Sequence, residues 1–123
     1  VGEPGHVFMC HCDDCQRRTG TSYHLGAWYP QDDVTIMGES KRYCRVADSG
    51  SDVELFFCPN CGSNIYFTVP GLLPGMLGVA VGCFADPDFP APEASVFGKR
   101  RHRWLQVPAG VPAYTEWTDG ERE

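Results

Sequence analysis

Seven cysteines stand in a chain of 123 residues, and five of them fall into two tight clusters that constrain the fold more than any other feature. The stretch MCHCDDCQRRTG, Met9 to Gly20, carries Cys10, Cys12 and Cys15, and CPNCG supplies Cys58 and Cys61. A pair of thiols separated by two residues can converge on one metal ion, and the Pro and Gly of the second pair suit the tight turn that this requires. Thiolate-rich tetrahedral sites select zinc or iron, and zinc is the expected ion. A secreted disulfide framework would show an even, more dispersed set of cysteines. Close pairs point instead to metal thiolates in a reducing compartment, with the cytoplasm as the expected location.

Two arrangements satisfy the spacing. Cys12, Cys15, Cys58 and Cys61 can close one four-thiolate site, structural only, with Cys10 spare. Alternatively, Cys10, Cys12 and Cys15 hold one zinc with an open position, and Cys58 and Cys61 belong to another site. The spacing alone leaves both open.

Around these clusters, short runs rich in β-branched and aromatic residues are broken by 14 Gly and 10 Pro. Strands are expected at 6–11, 23–29, 34–37, 41–46, 53–57, 64–69 and 77–84. No 3.6-residue periodicity is sustained, and the single helical turn expected is Asp13 to Thr19, closed by Gly20. The fold class is therefore mainly β, with antiparallel sheets in one zinc-stapled domain over 1–118 and a frayed tail at 119–123. A formal net charge of −6 argues against a general binder of nucleic-acid backbones. No run of about 18 apolar residues marks a membrane helix, and these residues open on no signal-peptide pattern. No phosphate-loop, dinucleotide or nucleophile-elbow motif occurs.

The segments MCHCDDCQRRTG and FFCPNCGSNIYF together resemble the glutathione-dependent formaldehyde-activating enzyme family, whose fold also occurs in centromere-protein-V relatives. The matching residues are Cys10, His11, Cys12, Cys15, Arg18, Thr19 and Gly20, then Phe57, Cys58, Cys61, Gly62 and Ser63. VGCFADPDFPAPEASVF and RWLQVPAGVPAYTEW look like the family's C-terminal half. The resemblance implies a β-tent fold and the second arrangement: Cys10, Cys12 and Cys15 as the catalytic zinc site, Cys58 and Cys61 as half of a structural one. The family's other half, an N-terminal C-x-C pair, has no counterpart in these residues. The implied activity is a zinc-dependent carbon–sulfur lyase acting on an adduct of glutathione, or a related thiol, with an aldehyde such as formaldehyde. The rival reading is a non-enzymatic zinc-binding interaction module with the closed four-cysteine site.

Arg17 and Arg18 follow Cys15 and are candidates to offset thiolate charge or bind a substrate carboxylate, against the plain role of a solvated helical turn. His6, His11, His24 and His102 are read as structural. Cys44, in KRYCRV, resembles the catalytic context of methionine sulfoxide reductase B, but there the cysteine follows the second C-x-x-C pair, so Cys44 is read as an ordinary strand residue. Cys83 is read as a small core residue, and Trp28, Trp104 and Trp117 as core. GKRRHRW, Gly98 to Trp104, is read as a solvated edge or a surface receiving an anionic substrate, not a nucleic-acid patch.

Overall fold

The computed structural model describes residues 3–47 and 49–123. Seven strands form one mixed sheet: β1 (His6–Cys10), β2 (His24–Pro30), β3 (Lys41–Val46), β4 (Asp52–Phe57), β5 (Asn64–Thr68), β6 (Met76–Ala80) and β7 (Ala94–Val96). Their hydrogen-bonded order is β3-β4-β5-β6-β2-β1-β7. One short helix, α1 (Asp13–Thr19), follows β1. Among the described residues no helix is long and apolar enough to cross a membrane.

The mainly-β expectation holds, but the sheet is not wholly antiparallel. β3, β4, β5 and β6 pair antiparallel in sequence order, whereas β7 pairs parallel with β1, Phe8 opposite Ala94 and Cys10 opposite Val96. A parallel neighbour cannot be reached through a tight hairpin, and here α1 and β2 to β6 all lie between β1 and β7 in the chain.

The chain divides into two compact units. In the first, residues 3–5 and 27–85 of the described chain, β3 to β6 form the meander. Val53 and Leu55 of β4 are buried while Asp52 is exposed, the two-residue alternation of a sheet with one covered face. Trp28 meets Phe67 edge-on at 5.0 Å between ring centroids. Phe67 lies over Gly78, its partner in the ladder, where an added Cβ would run into the ring. β3 is an edge strand carrying Lys41, Arg42 and Arg45, charges that discourage further strand pairing. The expected strand at 34–37 is absent. Those residues are irregular, Ile36 and Met37 are exposed, and the segment rims a cavity of about 240 Å³ against Ile65, Tyr66, Leu77 and Val79. The expected strand at 77–84 stops at Ala80 and turns into a 3-10 segment, Val81–Phe84. Cys83 is consequently exposed rather than core.

The second unit, residues 6–26 and 86–123, is built on β1 and β7. Its interior holds Val7, Phe8, Met9, His11, Cys15, His24, Ala94, Ser95 and Val96. Phe8 meets Trp117 edge-on at 5.3 Å. Beyond β7 the chain is held less by regular structure than by individual backbone bonds. Ser95 N donates to Pro112 O, Tyr114 N to Ser95 O, and Phe97 N to Glu116 O. The last residues are bonded back to the chain: Thr115 N donates to Glu121 O, Glu123 N donates to Ala113 O, and the Glu123 carboxylate pairs with Arg101 at 2.6 Å.

Candidate metal centre

Cys10 ends β1 and Cys12 opens α1, so the strand-to-helix corner presents both thiols while Cys15 returns one turn later. Cys12 caps the helix with its own sulfur, which accepts from Cys15 N at 3.4 Å. Gly20, at φ 71, closes the other end by donating its N–H to Gln16 O; a left-handed residue in this position favours glycine. The three Sγ atoms of Cys10, Cys12 and Cys15 all lie within 4.8 Å of one another. Among the described residues this is the one group of three or more His, Cys, Asp or Glu whose ligand atoms gather in this way.

That spacing fits a metal. Zinc–sulfur bonds of about 2.3 Å in a tetrahedron put neighbouring sulfurs about 3.8 Å apart. As free thiols Cys10 and Cys15 are poor acids. Hydrogen bonds with Cys12 and Cys15, together with burial, hold the Cys10 thiol well above its ordinary range. Cys15 has an opposing hydrogen bond from Cys10, yet its bond to Cys12 and its burial push it up to about 11. A sulfur cluster that resists ionisation by itself gains most from a cation, and binding one must expel its protons.

A single glutamine fixes this corner. Gln16 Nε2 donates to His11 O at 2.7 Å and to Arg100 O at 3.1 Å, and Gln16 Oε1 accepts from His102 Nε2 at 2.9 Å. Its amide therefore joins the residue between Cys10 and Cys12 to the helix and to the segment after β7. His11, fully buried, bonds through Nε2 to the equally buried Ser95 Oγ at 2.9 Å. Burial, then the nearby Arg101, lower its pKa to about 4; burial, then Arg18, lower that of His24 to about 3.

Residues 1–100 match the family model described as glutathione-dependent formaldehyde-activating enzyme. The chain belongs to this family. The family's description names an enzyme that activates formaldehyde in dependence on glutathione.

Of the two arginines marked in the sequence, the structure brings one to the cluster. Arg18 Nη2 lies 3.9 Å from Cys15 Sγ. Arg17 points to solvent, its side chain 76% exposed and 3.9 Å from Asp14 Oδ1. Cys58 and Cys61 sit in the turn between β4 and β5 and stand in no group of three ligands among the described residues. The turn is nevertheless shaped as a knuckle: Gly62 N donates to Cys58 O, Cys58 N donates to Ser63 O, and Gly62 has φ 73. Hydrogen bonds from Ser63, then from Cys58, lower the pKa of Cys61. Cys83 donates its thiol proton to Asn64 O at 2.8 Å, and Cys44 is an exposed residue of β3. Trp28 is core as expected, but Trp104 is 70% exposed. Gln16 and Ser95 were not legible as site residues, because their partners lie 84 to 86 positions away in the chain for Ser95 to His11 and Gln16 to Arg100 and His102.

Proposed function

We propose that the protein is a zinc-dependent carbon–sulfur lyase of the formaldehyde-activating type, with Cys10, Cys12 and Cys15 as its catalytic metal ligands. The observation that carries this reading is the convergence of three thiols within 4.8 Å, with no fourth ligand in the group among the described residues, in a chain of this family. Zinc bound there would supply one thing, a lowered pKa for a fourth thiol taken from solution, which makes that thiol a nucleophile at neutral pH.

The chain's residues account for the remaining work. Three thiolates outweigh the charge of a divalent cation, so the site repels further negative charge unless cations stand close. Arg18, against Cys15 Sγ, supplies one and favours entry of the substrate as thiolate. Arg17, exposed on the same turn, serves as a weaker contact for a substrate carboxylate. In the forward direction glutathione sulfur forms a bond to the formaldehyde carbon, the carbonyl π bond opens, and the proton lost from the thiol ends on oxygen. The product is S-hydroxymethylglutathione, and the lyase direction is the reverse. His11 takes no part in proton transfer, since its ring is buried against Ser95.

Cys58 and Cys61 are assigned to a second, structural zinc whose remaining ligands lie outside the pair, within a zinc-stapled fold of the β-tent type. The knuckle hydrogen bonds of that turn support this assignment. The deciding experiment is turnover of formaldehyde with glutathione by Cys10→Ser. Loss of activity with Cys58→Ser still active supports a three-cysteine catalytic site. Full turnover by Cys10→Ser rules it out.

A further inference from the structure

The proposed reaction leaves one sequence motif unused, the basic segment Gly98–Trp104. Phe97 leaves β7 at φ 55 and turns the chain into a 3-10 segment, Gly98–Arg100. The cations that follow are not equivalent. Lys99 Nζ lies 2.8 Å from Glu116 Oε2, Arg100 Nε lies 2.8 Å from Asp13 Oδ1, and Arg101 Nη1 lies 2.6 Å from Glu123 Oε1. Arg103 alone in the segment is exposed and, among the described residues, held by no carboxylate.

Beside it stands Trp104. At 70% exposure it is the one large hydrophobic side chain so open to solvent among the described residues 6–26 and 86–123. An indole left in water forgoes the burial that Trp28 obtains. Its orientation is nevertheless defined, because the His102 ring meets it edge-on at 5.8 Å. His102 in turn donates to Gln16, the residue after Cys15, and Arg100 is tied to Asp13 at the start of α1. The open cation and the open aromatic are thus carried on a segment bonded at two points to the helix that presents the thiol cluster.

We propose that Arg103 and Trp104 form the docking subsite for the peptide portion of the thiol substrate. The guanidinium takes a carboxylate of glutathione, and the indole packs against its backbone. This rests on the function proposed above. Glutathione brings two carboxylates, and of the four cations at 99–103 three already have acidic partners. An extended tripeptide spans about 10 Å, a reach suited to a segment hydrogen-bonded to the cluster's own helix. Thiols without carboxylates gain nothing from the subsite, so it sets specificity rather than chemistry.

The test uses the zinc-loaded protein and S-methylglutathione, whose blocked sulfur leaves only the peptide portion to bind. Tryptophan fluorescence should change saturably on titration, the change should vanish in Trp104→Phe, and Arg103→Ala should weaken the apparent Kd about ten-fold. In turnover, the ratio of kcat/KM for glutathione over 2-mercaptoethanol should fall about ten-fold in Arg103→Ala, with partial recovery in Arg103→Lys. No saturable change, or an unchanged Kd and ratio in Arg103→Ala, overturns the subsite. The two proposals fail separately. Binding of S-methylglutathione without turnover of formaldehyde and glutathione removes the reaction and keeps the subsite; turnover with binding indifferent to Arg103 removes only the subsite.

Discussion

Gln16→Leu is the sharpest test of how the cysteine corner is held. Leucine keeps the volume and helix preference of the glutamine but removes its whole amide. Three hydrogen bonds go with it: part-buried ones to His11 O at 2.7 Å and from His102 Nε2 at 2.9 Å, and an exposed one to Arg100 O at 3.1 Å. At about 1 kcal/mol for each part-buried bond and about half that for the exposed one, the loss is about 2–3 kcal/mol. Gln16→Glu is expected to cost at least as much, because it keeps an acceptor for His102 but sets a carboxylate against two carbonyl oxygens. Urea unfolding should show a lower midpoint at unchanged slope. Because His11 lies between Cys10 and Cys12, zinc affinity should also drop, by about 10-fold or more. A loss below about 0.5 kcal/mol, within the range of an ordinary surface substitution, would refute the role given to this amide.

Ser95→Ala strands the buried Nε2 of His11 and should cost about 1–3 kcal/mol by the same urea assay; a neutral result would mean that His11 finds another partner. Gly78→Ala drives a methyl into the Phe67 ring and should destabilise by about 1–3 kcal/mol, read as a lowered midpoint. Stability should also fall in mild acid. His11 and His24 titrate at about 4 and about 3 when folded, against about 6.5 unfolded. Between those values the unfolded chain binds more protons, so stability rises with pH. Acidification from about pH 7 to about pH 5 should cost about 4 kcal/mol in metal-free protein. A flat profile contradicts this, and His24→Gln should reduce the slope.

Local chemistry explains which parts of the molecule could be read in advance. α1 was legible to the residue because its ends are set by neighbours in sequence, with acidic residues opening it and Gly20 closing it. β3, β4 and β5 were legible because their alternation is strong and their partners lie one turn away. Residues 34–37 misled through composition alone: Val, Thr, Ile and Met favour strands, but no neighbouring strand takes up their backbone groups, and Ile36 and Met37 stay in water. β7 was missed for the opposite reason. Ala94, Ser95 and Val96 are small and few, and they become a strand only through parallel pairing with β1. Spacing marked the cysteines as metal ligands but left two arrangements open, and only the family resemblance singled out Cys10, Cys12 and Cys15; the supports around them carried no signal. Ser95 meets His11 across 84 positions and Gln16 reaches Arg100 across 84 as well as His11 five residues back, and nothing in the local sequence marks either. Trp104 shows the limit of reading aromatics as core, since its exposure depends on which face of an irregular segment meets solvent.

The central claim is that the three-thiol corner holds a metal with one position left for a substrate thiol. Anomalous diffraction at the zinc edge, on crystals soaked with glutathione, tests it most directly. A peak is expected among the Sγ atoms of Cys10, Cys12 and Cys15, with the glutathione sulfur about 2.3 Å away as the fourth ligand. A peak shared by Cys12, Cys15, Cys58 and Cys61, indifferent to glutathione, would contradict it and make the cysteines a structural staple.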